Sequence, residues 1–112
     1  MKISDYAYYL EGAYANITNC SFYKCNKCMR LTQDNVVNNI KVFYCNYFAS
    51  LNALNILTNC RIDSCKYDGI LIYYRGNTVN NVVFDFIYQR SFVLNPGANH
   101  NNINSVSYTH LT

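Results

Sequence analysis

An aliphatic residue, a variable residue, Asn, an apolar residue, a variable residue and a second apolar residue recur along this chain as one unit. Four copies are clear: Ile17-Thr18-Asn19-Cys20-Ser21-Phe22, Val37-Asn38-Asn39-Ile40-Lys41-Val42, Leu57-Thr58-Asn59-Cys60-Arg61-Ile62 and Val79-Asn80-Asn81-Val82-Val83-Phe84. A degenerate fifth is His100-Asn101-Asn102-Ile103-Asn104-Ser105. The Asn positions, 19, 39, 59, 81 and 102, are separated by 20, 20, 22 and 21 residues. A period in that range marks a solenoid, whose repeats bury their apolar faces only by stacking on one another.

Aligning the copies gives columns. Ile17, Val37, Leu57 and Val79 stand two places before the Asn, and Cys20, Ile40, Cys60, Val82 and Ile103 one place after it. Phe22, Val42, Ile62 and Phe84 follow three places after, and Cys25, Cys45, Cys65 and Ile87 six places after. Parallel strands in register produce such columns, because each inward side chain lies over its counterpart about 4.8 Å away. The apolar spacing of a helix persists through no coil. Coils are expected to begin near Ala15, Asn35, Asn55 and Asn77, with a partial one from Ala98. Residues 1–14, with Asp5-Tyr6-Ala7-Tyr8-Tyr9-Leu10, read as the second half of an earlier coil.

Only two residues separate the inward aliphatic residue from the next inward one, so the backbone must bend at the Asn. Asn is the non-glycine residue most tolerant of the left-handed conformation such a bend requires. Stacked amides then hydrogen-bond from coil to coil. A second column, Asn35, Asn55 and Asn77, offers the same device at another corner.

These motifs carry a resemblance. Asn19-Cys20-Ser21-Phe22, Asn59-Cys60-Arg61-Ile62 and Asp68-Gly69-Ile70 resemble the repeat of pectin-lyase-like parallel β-helix proteins, over roughly residues 5–105. The resemblance implies an all-β fold: a right-handed single-stranded parallel β-helix of about five coils of 20–22 residues. It also implies an extracellular or cell-surface protein that recognises or processes polysaccharide, with Ca²⁺ as a possible cofactor and a lyase or hydrolase as the possible activity. A non-catalytic adhesin or stalk is the alternative. A leucine-rich repeat competes through Leu51-x-x-Leu54-x-Ile56-x-x-Asn59, matched by one coil alone.

Val106-Ser107-Tyr108-Thr109-His110-Leu111-Thr112 resembles the translation of a sequencing-library transposon adapter. Residues 106–112 are therefore read as a non-native tail and 1–105 as a fragment of a longer β-helix.

Composition adds limits. The net charge of +3 is small and scattered, which gives no footprint for nucleic acid. No apolar run approaches the length of a membrane span, and Met1-Lys2-Ile3-Ser4-Asp5 lacks a secretory signal's apolar core. Six Cys and two His supply no paired ligand motif for zinc; Cys25-x-x-Cys28 is the one close pair. In an inward column Cys serves as a small hydrophobe, and stacked Cys suit a disulfide's dihedral poorly. No metal site is expected.

Candidate chemistry lies on the outward positions. Lys41 and Arg61 stack two places after the Asn, and Asp63 with Asp85 four places after it. Two carboxylates on adjacent strands beside two cations are the material of acid–base catalysis on a glycosidic bond; they are equally the material of a solvated, charge-paired strand face. Tyr47 and Tyr67 share a column with Tyr88 offset by one, and Tyr73-Tyr74 precede a turn. Such rings suit either stacking on sugars or ordinary packing. Asn16-Ile17-Thr18 and Asn19-Cys20-Ser21 match glycosylation sequons, the second inside the turn ladder.

Overall fold

A computed structural model describes residues 2–3 and 10–110, with side chains from 14 to 108. Asp5 to Tyr9 of the expected first half-coil and the final Leu111-Thr112 lie outside the described residues. The described chain is all-β and without a helix. Its strands are β1 (Lys2–Ile3), β2 (Leu10–Ala13), β3 (Asn16–Phe22), β4 (Cys25–Gln33), β5 (Val36–Val42) and β6 (Cys45–Ala53). They continue as β7 (Ile56–Cys65), β8 (Ile70–Ile72), β9 (Thr78–Ile87), β10 (Phe92–Leu94) and β11 (Asn102–His110).

All pairings are parallel, in two runs. One is β1-β3-β5-β7-β9-β11 and the other β2-β4-β6-β8-β10, and the β6–β7 pair Cys45↔Cys65 joins them. The chain alternates between the runs, so it winds as a β-solenoid of about four turns. Registers match the apolar columns: Ile17↔Val37↔Leu57↔Val79, Cys20↔Ile40↔Cys60↔Val82, Phe22↔Val42↔Ile62↔Phe84 and Cys25↔Cys45↔Cys65↔Ile87. The last three files are buried, as are Val37, Leu57 and Val79. Each fully covered aliphatic or aromatic group contributes about 1.5–3 kcal/mol. Phe48 and Phe84 meet edge to face with centroids 6.2 Å apart and fill the middle of the core.

The fifth copy is aligned differently from the expectation. Ile103 pairs with Val79 and Val106 with Val82, which puts Ser105, not Asn102, over Asn81. The two apolar residues select the register by continuing the inward files of Val79 and Val82; Val106 packs on the core, and Ile103, on the last coil, stays 36% exposed. The strand runs on through residues 106–110.

Among the described residues the coils turn at two left-handed corners. Asn19, Asn39, Asn59, Asn81 and Ser105 occupy one, with φ of 56°, 58°, 53°, 55° and 51°. Tyr14, Asp34, Leu54, Gly76 and His100 occupy the other, each immediately before Ala15, Asn35, Asn55, Asn77 or Asn101. The first corner carries an exposed ladder, for example Asn81 Nδ2 to Asn59 Oδ1 at 2.7 Å. A further exposed amide pair joins Asn46 Nδ2 to Asn26 Oδ1 at 2.9 Å.

The ladder at the second corner is buried. Asn55 Oδ1 accepts from the Asn35 backbone N–H at 3.0 Å and from Asn35 Nδ2 at 2.9 Å. Asn77 Oδ1 does the same for Asn55 at 3.0 and 3.1 Å, and Asn101 Oδ1 for Asn77 at 2.9 and 3.0 Å. Asn55 Nδ2 also donates to Leu31 O at 3.1 Å. Asn35, Asn55 and Asn77 have no exposed surface, so these amides supply the partners that water cannot.

The leucine-rich reading is overturned by this corner. Leu54 is left-handed and 48% exposed, and Ile56 faces outward, whereas that signature requires both to point inward.

Candidate functional site

The charged quartet lies on the outer surface of the β5-β7-β9 run. Lys41 pairs with Arg61 in register, and Ile62↔Phe84 with Ser64↔Phe86 sets Asp63 beside Asp85. Arg61 grips Asp85 with both ends of its fork, Nε to Oδ2 at 3.1 Å and Nη2 to Oδ1 at 2.9 Å. The Arg61 side chain is 60% exposed, which limits such a pair to about 0–1 kcal/mol. Lys41 Nζ sits 4.8 Å over the Phe43 ring, which stacks on Tyr23 at 4.5 Å. Tyr23, Phe43, Asp63 and Asp85 thus form one outward file, with each cation bound to a member of it.

Those two carboxylates do not make a calcium cage. Asp85 is occupied by Arg61, and among the described residues no three Asp, Glu, His or Cys groups gather where a metal ion would fit.

A groove of about 690 Å³ opens on the other run, over β4, β6 and β8. Its walls include Lys27, Arg30, Tyr47, Asp68, Tyr73 and Tyr74, and none of Lys41, Arg61, Asp63 and Asp85. Cys25 with Cys28, and Cys45 with Phe48, turn inward, and the break in alternation between them leaves Lys27 and Tyr47 paired in register on the outside. Lys27 Nζ lies 5.9 Å from the Tyr47 ring centroid, Tyr47 lies 5.3 Å from Tyr67, and Lys66 Nζ lies 5.3 Å from Tyr67.

Of the five tyrosines singled out in the sequence, Tyr47 lines the groove and Tyr67, outside its lining, packs against Tyr47. Tyr88 is half exposed at the level of Lys66, since its N–H reaches Cys65 O as that of Lys66 reaches Cys45 O. Tyr73 and Tyr74 complete the aromatic lining from the segment after β8.

Lys27, Arg30 and Asp68 line the groove without any signal of that role in the sequence, where Asp68 belongs only to the repeat motif Asp68-Gly69-Ile70. The Asp68 side chain is 10% exposed, and its oxygens accept from Arg90 Nε at 3.0 Å and Nη2 at 3.2 Å. The partners are 22 residues apart in loops of adjacent coils, and the spacing of the repeat is the one signal that joins them.

Behind the groove the thiols form an interior cluster. Cys25, Cys28, Cys45 and Cys65 are all buried, and none of them is in a disulfide. A hydrogen bond with Cys25 raises the Cys28 thiol, one with Cys28 raises Cys45, and one with Cys45 raises Cys65; burial adds to each. Burial lifts Cys60 to about 12, against a hydrogen bond with the Ile40 backbone. A raised thiol holds its proton more tightly folded than unfolded. Its contribution is therefore whole below the unfolded value of 9.0 and is lost as pH climbs toward 12. The unfolding free energy from urea titration under reductant should fall across that window by about 1.4 kcal/mol per pH unit for Cys60. Cys60→Ala should flatten the slope, and an unchanged slope would sink the assignment.

No known protein family, curated protein or solved structure matches this chain.

Proposed function

We propose that this chain is part of a surface or secreted recognition protein, wound in the right-handed sense usual for parallel crossovers, that binds polysaccharide in the β4-β6-β8 groove. The observation that carries this reading is the convergence of Tyr47, Tyr73 and Tyr74 with Lys27, Arg30 and Asp68 on one concave surface. A sugar ring offers an apolar face and a rim of hydroxyls. Aromatic side chains take the first and fixed polar groups the second, which is how ligand sites combine affinity with orientation.

The non-catalytic form of this reading is favoured, because the quartet stands outside the groove and Asp85 is engaged by Arg61. Processing of polysaccharide by Asp63 and Asp85, with Arg61 and Lys41 beside them, is the second reading. It rests on the register that sets the two carboxylates on neighbouring strands.

A panel of soluble neutral and acidic polysaccharides, titrated calorimetrically, tests both. Tyr47→Ala and Tyr74→Ala should each weaken binding by about 0.5–1.5 kcal/mol, roughly two- to tenfold. Asp85→Asn should leave affinity unchanged. Wild-type affinity in both tyrosine variants would defeat the groove. Chain cleavage abolished by Asp63→Asn would establish the second reading instead.

A further inference from the structure

We infer that Asp68-Gly69 is a latent isomerisation site that Arg90 holds shut. In an Asp-Gly pair the glycine nitrogen attacks the aspartate side-chain carbon. A C–N bond forms, the carboxyl loses oxygen as water, and a five-membered succinimide results. Water then opens the ring at either carbonyl, returning aspartate or giving isoaspartate, in which the main chain runs through the side-chain carbon. Glycine favours the reaction because no Cβ obstructs the approach. No oxidant or cofactor is needed.

Both reacting groups are held by Arg90. The nucleophile, Gly69 N–H, donates to the Arg90 carbonyl at 2.8 Å. The electrophile, the Asp68 carboxyl group, is clasped at both oxygens by the Arg90 guanidinium at 3.0 and 3.2 Å. To react, the carboxyl group must leave that fork while the amide gives up its own bond.

The surroundings oppose the movement. A Cβ on Gly69 would stand 2.6 Å from Phe84 Cζ and 2.8 Å from Ser91 O, so nothing larger than hydrogen fits on that face. The next amide, Ile70 N–H, is fixed to Ser91 O at 2.9 Å. The reaction therefore waits on local opening of the coil that carries Arg90, and its rate follows the population of that opened state. Isomerisation would insert a backbone carbon between β7 and β8 and move a groove-lining carboxylate. The modification would accumulate in chains whose upper coils have frayed.

The test incubates the full chain at neutral pH and physiological temperature in three forms: folded, urea-unfolded, and Arg90→Ala in buffer. Isoaspartate is assigned to residues by peptide mapping with isoaspartyl methyltransferase labelling. Residue 68 should isomerise at least about tenfold more slowly folded than unfolded. Arg90→Ala, shown folded by circular dichroism, should accelerate residue 68 and leave Asp63-Ser64 at its wild-type rate. Arg90→Lys, which keeps the charge and loses the two-pronged grip, should fall between and serves if the alanine variant does not fold. Equal rates at residue 68 in folded and unfolded wild type would overturn the inference. So would a folded Arg90 variant as slow as wild type.

Discussion

Replacing Asn55 with Ala should unfold the protein at markedly lower urea, with a loss of about 2–4 kcal/mol. The Asn35 backbone N–H would lose the Asn55 oxygen, Asn35 Nδ2 would lose one of its acceptors and keep Gln33 O at 3.2 Å, and Leu31 O would lose a donor. Each buried polar group left without a partner costs about 1–3 kcal/mol, and no water reaches Asn35 to take the vacated place. Asn39 is the control. It is exposed, and its corner needs a left-handed residue more than an amide. Asn39→Gly should therefore be close to neutral while Asn55→Gly stays as damaging as Asn55→Ala. Circular dichroism during urea titration reads both, and equal effects at the two sites would show that burial is not what separates the ladders.

Gly69→Ala is the second large effect. The new methyl group would lie 2.6 and 2.8 Å from Phe84 Cζ and Cε1, and 2.8 Å from the Ser91 carbonyl. The Phe84 ring is buried and packed on Phe48, so it has little room to retreat. Overpacking of this kind costs about 1–3 kcal/mol, and a backbone atom among the contacts puts this site at the upper end. Phe84→Leu shortens the obstructing side chain. In that background Gly69→Ala should cost at least about 0.5 kcal/mol less, a coupling expected of residues in contact. Strict additivity of the two changes would refute the steric account.

The repeat was legible because parallel, in-register stacking sets like residues over like, and Cys20, Ile40, Cys60 and Val82 do lie in one file. The left-handed corner at Asn19, Asn39, Asn59 and Asn81 was legible for the same reason, since few other residues accept that conformation. Which ladder would be buried was not. Both columns read as Asn at a fixed interval, and only the direction of each corner decides which amide faces the core. Asn101 was missed as the fourth rung of the buried ladder, because 24 residues separate it from Asn77. The adjacent Asn102 stands 21 residues after Asn81, so it draws the alignment to the other column and sets Ala98 over Asn77.

The candidate site was legible in part. Tyr47 and Tyr67 share a column, and their rings do meet. Asp63 and Asp85 are aligned as their spacing requires, yet Arg61 reaches diagonally to Asp85, a choice made by side-chain reach that a column diagram does not contain. Asp68 and Arg90 belong to loops, where no alternation of inward and outward positions says which way a side chain turns.

The buried amide file also governs where this architecture accepts extra chain. Leu31, Leu51, Ile72 and Leu94 belong to the same run of strands. From them to Asn35, Asn55, Asn77 and Asn101 the path takes 4, 4, 5 and 7 residues. The lengthening bulges outward, while each Asn docks on its predecessor as before and returns the next strand to its place. Loop size at that edge is thereby uncoupled from the winding. Tyr73 and Tyr74 sit in one such enlarged segment, so the rim of the groove can be remodelled by insertion without repacking a single core residue.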